Sequence, residues 1–262
     1  MEITEKILST NKVSDETDFA LCRSGIYELL ATGFLFPDDG LLHAYRDGVF
    51  VGELRESVAP LPAADGLKEA VDRLEAALGV FLRTHSDVDI KAHNTYIFGQ
   101  GGAVKCPPYE TEYGLENVFM KTQELADLSG FYRASGLEVS RAGGERPDHI
   151  STELEFMCLW TFKESKAREG NEDQKLESCL SMEGKFVQDH LGRWVGMFAQ
   201  LLEVNDDSGF YAQLGHTADE FVSWEAGRLG VVAEKVSGPP SGGKPGDDQT
   251  ICAACDPASL SK

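Results

Sequence analysis

Apolar residues fall at offsets of three, four and seven along most of this chain. Between residues 15 and 36, Phe19, Cys22, Ile26, Leu29, Leu30 and Phe34 trace one face of a helix, with Ser14 placed to cap its start. Leu67, Val71, Leu74, Leu78 and Phe81 repeat the pattern, and the same periodicity predicts helices near 41–58, 87–98, 116–136, 149–169, 172–203 and 208–229. Strand-like alternation is almost absent. The pattern predicts an all-α protein, with Phe34 and Phe36, next to Pro37, in its core.

Two longer irregular segments interrupt the helices, GQGGAVKCPPYETEYG at 99–114 and LEVSRAGGERP at 137–147. The second divides the helices into an N-terminal and a C-terminal group, and Gly143, Gly144 and Pro147 are its candidate hinge. From residue 231 the composition turns to Pro, Gly and Ser, as in VSGPPSGGKPGDDQT, which cannot bury enough apolar area to order itself. The expected organisation is an N-terminal arm over 1–14, one helical-bundle domain over 15–230 made of two helical subdomains joined by the 137–147 loop, and a flexible tail over 231–262.

Charge narrows the partners. The 262 residues carry a net charge of −20, and the tail, with three lysines against four acids, accounts for −1 of it. The helical part is therefore strongly acidic, which argues against nucleic acid and favours basic partners. No run of apolar residues is long enough to span a bilayer, and the N-terminus lacks a basic segment followed by an apolar one, so a cytoplasmic protein is expected. The six cysteines are scattered, which argues against a disulfide framework.

Several catalytic motifs fail on inspection. Gly238 to Lys244 has the spacing of a phosphate-binding loop, but Pro245 stands where a hydroxyl residue should hold magnesium. Gly99, Gly101 and Gly102 lack the third glycine of a dinucleotide loop. No histidine stands in an H-E-x-x-H or E-x-x-H arrangement. Cys252 and Cys255 have the spacing of half a metal site or a redox dithiol, with no second pair to complete it. No stably bound cofactor or metal is expected.

The stretch GGERPDHISTELEFMCLW, 143–160, asks for an explanation beyond helix capping. Asp148 is a good N-cap and Pro147 stops any helix arriving from upstream, after which Ile150, Leu154, Met157 and Thr161 recur at helical spacing. His149 and Glu153 are left over, on one helix face at i and i+4. ERPDHISTELEFM at 145–157, PPYETEY at 107–113, NTYIFGQ at 94–100 and FYRASGLEV at 131–139 together resemble the TorD/DmsD/NarJ family of molybdoenzyme maturation chaperones, in the right order along the chain. Thr111 stands where the family more often has Ser.

The resemblance covers about residues 15–230 and implies an all-helical, non-enzymatic chaperone of two subdomains. Its implied partner is the catalytic subunit of a molybdenum oxidoreductase, bound through a twin-arginine signal peptide while a molybdopterin cofactor is inserted. Such a signal joins an arginine pair to an apolar stretch, so its receptor needs carboxylates beside an apolar groove. Tyr109, Glu110, Asp148, His149 and Glu153 are the candidate binding residues. The alternatives are a metal-dependent hydrolase using His149, Glu153 and carboxylates of a second helix, and a helical scaffold without a groove. Either a monomer or a domain-swapped dimer fits a hinge between two helical groups.

Overall fold

The computed structural model describes residues 2–99, 104–114, 118–137 and 146–236, with the side chains of the first helix described from Glu16 onward. Among the described residues ten α-helices follow one another: α1 (Glu2–Gly33), α2 (Asp39–Arg46), α3 (Val49–Val58), α4 (Asp65–Thr84), α5 (Asp87–Phe98), α6 (Val118–Ala134), α7 (Ile150–Glu169), α8 (Asp173–Phe186), α9 (Gly192–Asn205) and α10 (Phe210–Leu229). A 3-10 turn at Glu110–Glu112 precedes α6, and a π turn at Val187–Leu191 joins α8 to α9. The described residues hold no strand, only an isolated antiparallel bridge between Tyr109 and His149. The all-α expectation holds.

Three boundaries differ from the periodic reading. Helix α1 begins at Glu2, so Ser14 is an interior helical residue and residues 2–14 continue the helix instead of forming a separate arm. The 41–58 stretch is two helices, because Gly48 adopts a left-handed φ of 74° that a helix cannot contain. Phe36 is 56% exposed while Phe34 is buried. Once α1 ends at Gly33, the residues beyond it leave the helix face that carried Phe34 inward.

The two helical groups share one core. The most extensive helix pairing sets α1 of the first group against α7 of the second, and α10 packs on both α9 and α4. One continuous apolar cluster runs from Ile26 and Tyr27 through Phe81 to Leu154, Trp194, Phe198 and Phe221. Where the sequence suggested two subdomains, the chain interleaves them, because each amphipathic helix buries its stripe against whichever apolar face topology presents. The candidate hinge glycines Gly143 and Gly144, most of the 137–147 loop, and the tail with Cys252 and Cys255 lie outside the described residues. Cys22, Cys106, Cys158 and Cys179 are free thiols.

Beneath α1 lies a buried ion cluster. Arg23 is 2% exposed, and its guanidinium donates to Glu164 of α7, Glu183 of α8 and Glu225 of α10, each at 2.5 Å. Arg228 adds bonds to Glu183 and Glu225 at 2.9 and 3.1 Å, and Arg168 reaches Glu164 at 2.7 Å. Three carboxylates therefore meet three guanidiniums. Desolvation alone would neutralise such carboxyls; it pushes Glu183 up to about 8, against the pull of Arg23. At Glu164 the arginines outweigh desolvation and hold the carboxyl below its usual value.

The candidate site at the junction of two loops

The 104–114 segment and the residues leading into α7 are held together by short-range backbone pairing. The Glu110 N–H donates to the Asp148 carbonyl at 2.9 Å, and the Ile150 N–H donates to the Pro108 carbonyl at 2.9 Å, on either side of the Tyr109–His149 bridge. Pro107 and Pro108 keep the first segment extended and remove competing donors, so it can lie as a strand-like edge beside the start of α7. Tyr132 of α6 donates its hydroxyl to the Pro147 carbonyl at 2.6 Å, fixing the second segment from the other side.

Asp148 is spent on this lock. Its carboxylate accepts from the Thr111 hydroxyl at 2.7 Å and from both Arg146 donors, Nε at 3.0 Å and Nη2 at 2.8 Å. The Arg146 guanidinium also lies 4.2 Å from the Tyr109 ring centroid, a cation–π contact. The Thr111 hydroxyl also accepts from Nη2 of Arg146 at 3.0 Å. The N-cap of α7 is His149, not Asp148 as the sequence suggested: its Nδ1 accepts from the Ser151 N–H at 3.1 Å, with the Ser151 hydroxyl 2.7 Å away. The tertiary pull of Thr111 and Arg146 takes the aspartate, and the next residue caps. Burial holds His149 neutral, with its pKa lowered to about 4.

Glu153 is fully buried and accepts a hydrogen bond from the Trp194 indole at 3.1 Å. Its i and i+4 relation to His149 does not make a metal pair: the two side chains turn to different partners, and no metal-spaced group among the described residues contains either. The ligand set of the hydrolase alternative is therefore not assembled. Burial and the neighbouring charge of Glu110 raise Glu153 well above the usual carboxylate range. Of the five candidate residues, Glu110, Asp148, His149 and Glu153 are buried and only Tyr109 is partly open. The fold brings these five residues to one place and turns most of them inward.

Glu110 leads to residues that the sequence did not point to. Its Oε2 lies 3.1 Å from Nδ1 of His190, which the π turn sets into the core, and Glu124 and Asp127 of α6 approach the same imidazole at 3.6 and 3.4 Å. Burial raises the Glu110 carboxyl to about 6 despite the hydrogen bond to His190. Burial opposes charge on His190 too, but Glu110, Glu124 and Asp127 together outweigh it and raise its pKa. Eighty positions separate Glu110 from His190, so no local motif signals the pair. The one sequence hint is the i, i+3 spacing of Glu124 and Asp127 on one face of α6.

A family model for the nitrate reductase delta subunit matches residues 62–200, a span that contains this junction. The chain belongs to that family of molybdoenzyme maturation chaperones, the TorD/NarJ family. It is 27% identical over 217 residues to the perchlorate reductase assembly chaperone protein of Dechloromonas aromatica, covering 82% of this chain and 93% of the relative. The chaperone protein TorD of Vibrio parahaemolyticus is 21% identical over 187 residues, 71% of this chain and 83% of the relative. The selenate reductase assembly chaperone protein of Thauera selenatis is 32% identical over 113 residues, 43% of this chain and 56% of the relative. These TorD/NarJ relatives are named chaperones rather than enzymes. Among the described residues of this family member, no helix is long and apolar enough to cross a membrane.

Proposed function

We propose that this chaperone acts in the cytoplasm without catalysing a reaction, binding the twin-arginine signal peptide of a molybdenum oxidoreductase catalytic subunit until the cofactor is inserted. The client is a reductase of the oxyanion class, the kind named in the perchlorate and selenate relatives. The observation that carries the reading is a pair of acidic grooves beside α1. One, of about 470 Å³, runs between α1 and α3 and is lined by Leu29, Glu28, Glu53 and Glu56. The other, of about 480 Å³, runs between α1 and α7 and is lined by Glu28, Glu155, Leu159 and Phe162. Exposed carboxylates beside apolar side chains match what an arginine pair followed by an apolar stretch needs.

In this reading the grooves meet the arginines, and Tyr109, Glu110, Asp148, His149 and Glu153 serve binding by keeping the start of α7, one wall of a groove, in register. Calorimetric titration with the signal peptide, and with a version whose two arginines are glutamines, tests it. Binding should vanish with the arginines and weaken in Glu28→Gln and Glu155→Gln. Equal binding of both peptides, or of both variants and the parent, overturns it. Weakening by Asp148→Ala alone, in a folded protein whose groove variants bind normally, would move the grip to the junction.

A further inference from the structure

The junction gathers more negative charge than it balances. Glu110, Glu124 and Asp127 face His190, and the guanidinium that reaches them is Arg193, 2.9 Å from Glu124. His190 is 0% exposed and Glu110 4%. Nε2 of His190 and Oε1 of Glu110 both lack a hydrogen-bond partner among the described residues, as does Oε1 of Glu153. Buried polar atoms are normally satisfied, so the unpartnered oxygen of the buried Glu110 carboxyl leaves that group room for a further partner.

The spacing fits a metal ion. Nδ1 of His190 stands 3.1 Å from Glu110 Oε2 and 3.6 Å from Glu124 Oε1, and the three ligand atoms all lie within 4.8 Å of one another. A cation bonding nitrogen and oxygen at roughly 2.0–2.2 Å keeps neighbouring ligand atoms about 3.0–3.6 Å apart. We propose that Glu110, Glu124 and His190 form a binding site for a divalent first-row cation, of the manganese or zinc kind. One imidazole with two carboxylates suits those ions. Asp127, 3.4 Å from Nε2, would then accept the proton of the opposite ring nitrogen and hold the imidazole in its ligating tautomer.

Three further features agree. The ligands come from three elements, the 3-10 turn, α6 and the π turn, so one ion would tie α6 to the core. The π turn is itself a distortion that costs regular hydrogen bonding and often marks a site. It depends on Gly192, where a Cβ would stand 2.3 Å from the Val187 carbonyl oxygen. Finally, a depression of about 630 Å³ lined by Met120, Gln123, Glu124, Ala126 and Asp127 opens beside the cluster, providing an entry path and room for water on the remaining coordination positions. The second metal-spaced group, His93 with Asp206 and Asp207, shows none of this. There Asp206 already accepts from Ser208, Ala212 and His93, and Asp207 is exposed.

The test is calorimetric titration of the chelator-stripped full chain with Mn²⁺ and separately with Zn²⁺, with elemental analysis after dialysis and pulsed paramagnetic resonance of the Mn²⁺ form. One equivalent of either ion, with nitrogen coupling from a single imidazole in the Mn²⁺ form, is expected. Glu124→Gln, at a partly open position, should weaken binding at least roughly tenfold, and Asp127→Asn by roughly 10–100-fold. Asp207→Asn should leave it unchanged. No stoichiometric binding of either ion, coupling without nitrogen, or unchanged affinity in Glu124→Gln overturns the proposal and leaves Glu110 and His190 as a buried hydrogen-bonded pair.

Discussion

Two clusters of carboxylates link this chaperone's helices, and they differ in how their charge is met. Around Arg23, Glu164, Glu183 and Glu225 face three guanidiniums and tie α1, α7, α8 and α10 together. Around His190, the carboxylates of Glu110, Glu124 and the exposed Asp127 face one guanidinium and one imidazole among the described residues, beside an open depression. Burial of a charge is tolerable only when it is paired; the first cluster supplies a guanidinium for each carboxylate, and the second has fewer cations than carboxylates. Charge balance, more than burial, separates a structural tie from a candidate site.

The comparison can be broken most forcefully at Arg23. Arg23→Met leaves three carboxylates buried without their central cation, and a loss of about 3–5 kcal/mol in denaturant unfolding is expected. Adding Glu183→Gln and Glu225→Gln to the same chain should recover part of it; no recovery would mean that the arginine acts by packing alone.

The next effect is one of pH. His149 titrates near 4 when folded against about 6.5 unfolded, so the unfolded chain binds more protons in between. Its contribution is complete above about pH 6.5 and is lost as pH falls toward 4, an upper bound of about 3 kcal/mol. Unfolding of the parent and of His149→Asn, which keeps a capping side chain, should diverge over that window; parallel curves would show that His149 does not titrate there.

Smaller still is the lock at the junction. Asp148→Asn weakens the Arg146 pair and the Thr111 bond, with about 1.5–3 kcal/mol of stability expected to be lost. Hydrogen exchange should quicken at the Glu110 and Ile150 amides, whose partners are Asp148 and Pro108. Glu28→Gln and Glu155→Gln, exposed in the α1 grooves, should move stability by less than about 0.5 kcal/mol while weakening signal-peptide binding. A stability loss comparable to Asp148→Asn would show that the groove acids are structural.

Much of the fold was legible because helices announce themselves locally. Leu67, Val71, Leu74, Leu78 and Phe81 are all buried in α4, as their spacing requires. Ser14 and Phe36 misled because a capping residue and an aromatic ring are only local signals. Nothing in the sequence near Ser14 said that the helix continues on either side of it. Asp148 and His149 were recognisable as a pair, but not their division of labour, since the residue that caps α7 was decided by Thr111, 37 positions away.

The sequence by itself determined the helical periodicity, the acidic surface and the residues that mark the family, since these need no more than neighbours along the chain. Only the tertiary structure decided that α1 packs against α7, that Arg23 gathers glutamates from three helices, and that Glu110 meets His190. Such meetings depend on which apolar faces pack together. Packing brings distant polar groups to one point, where desolvation and charge then set their chemistry.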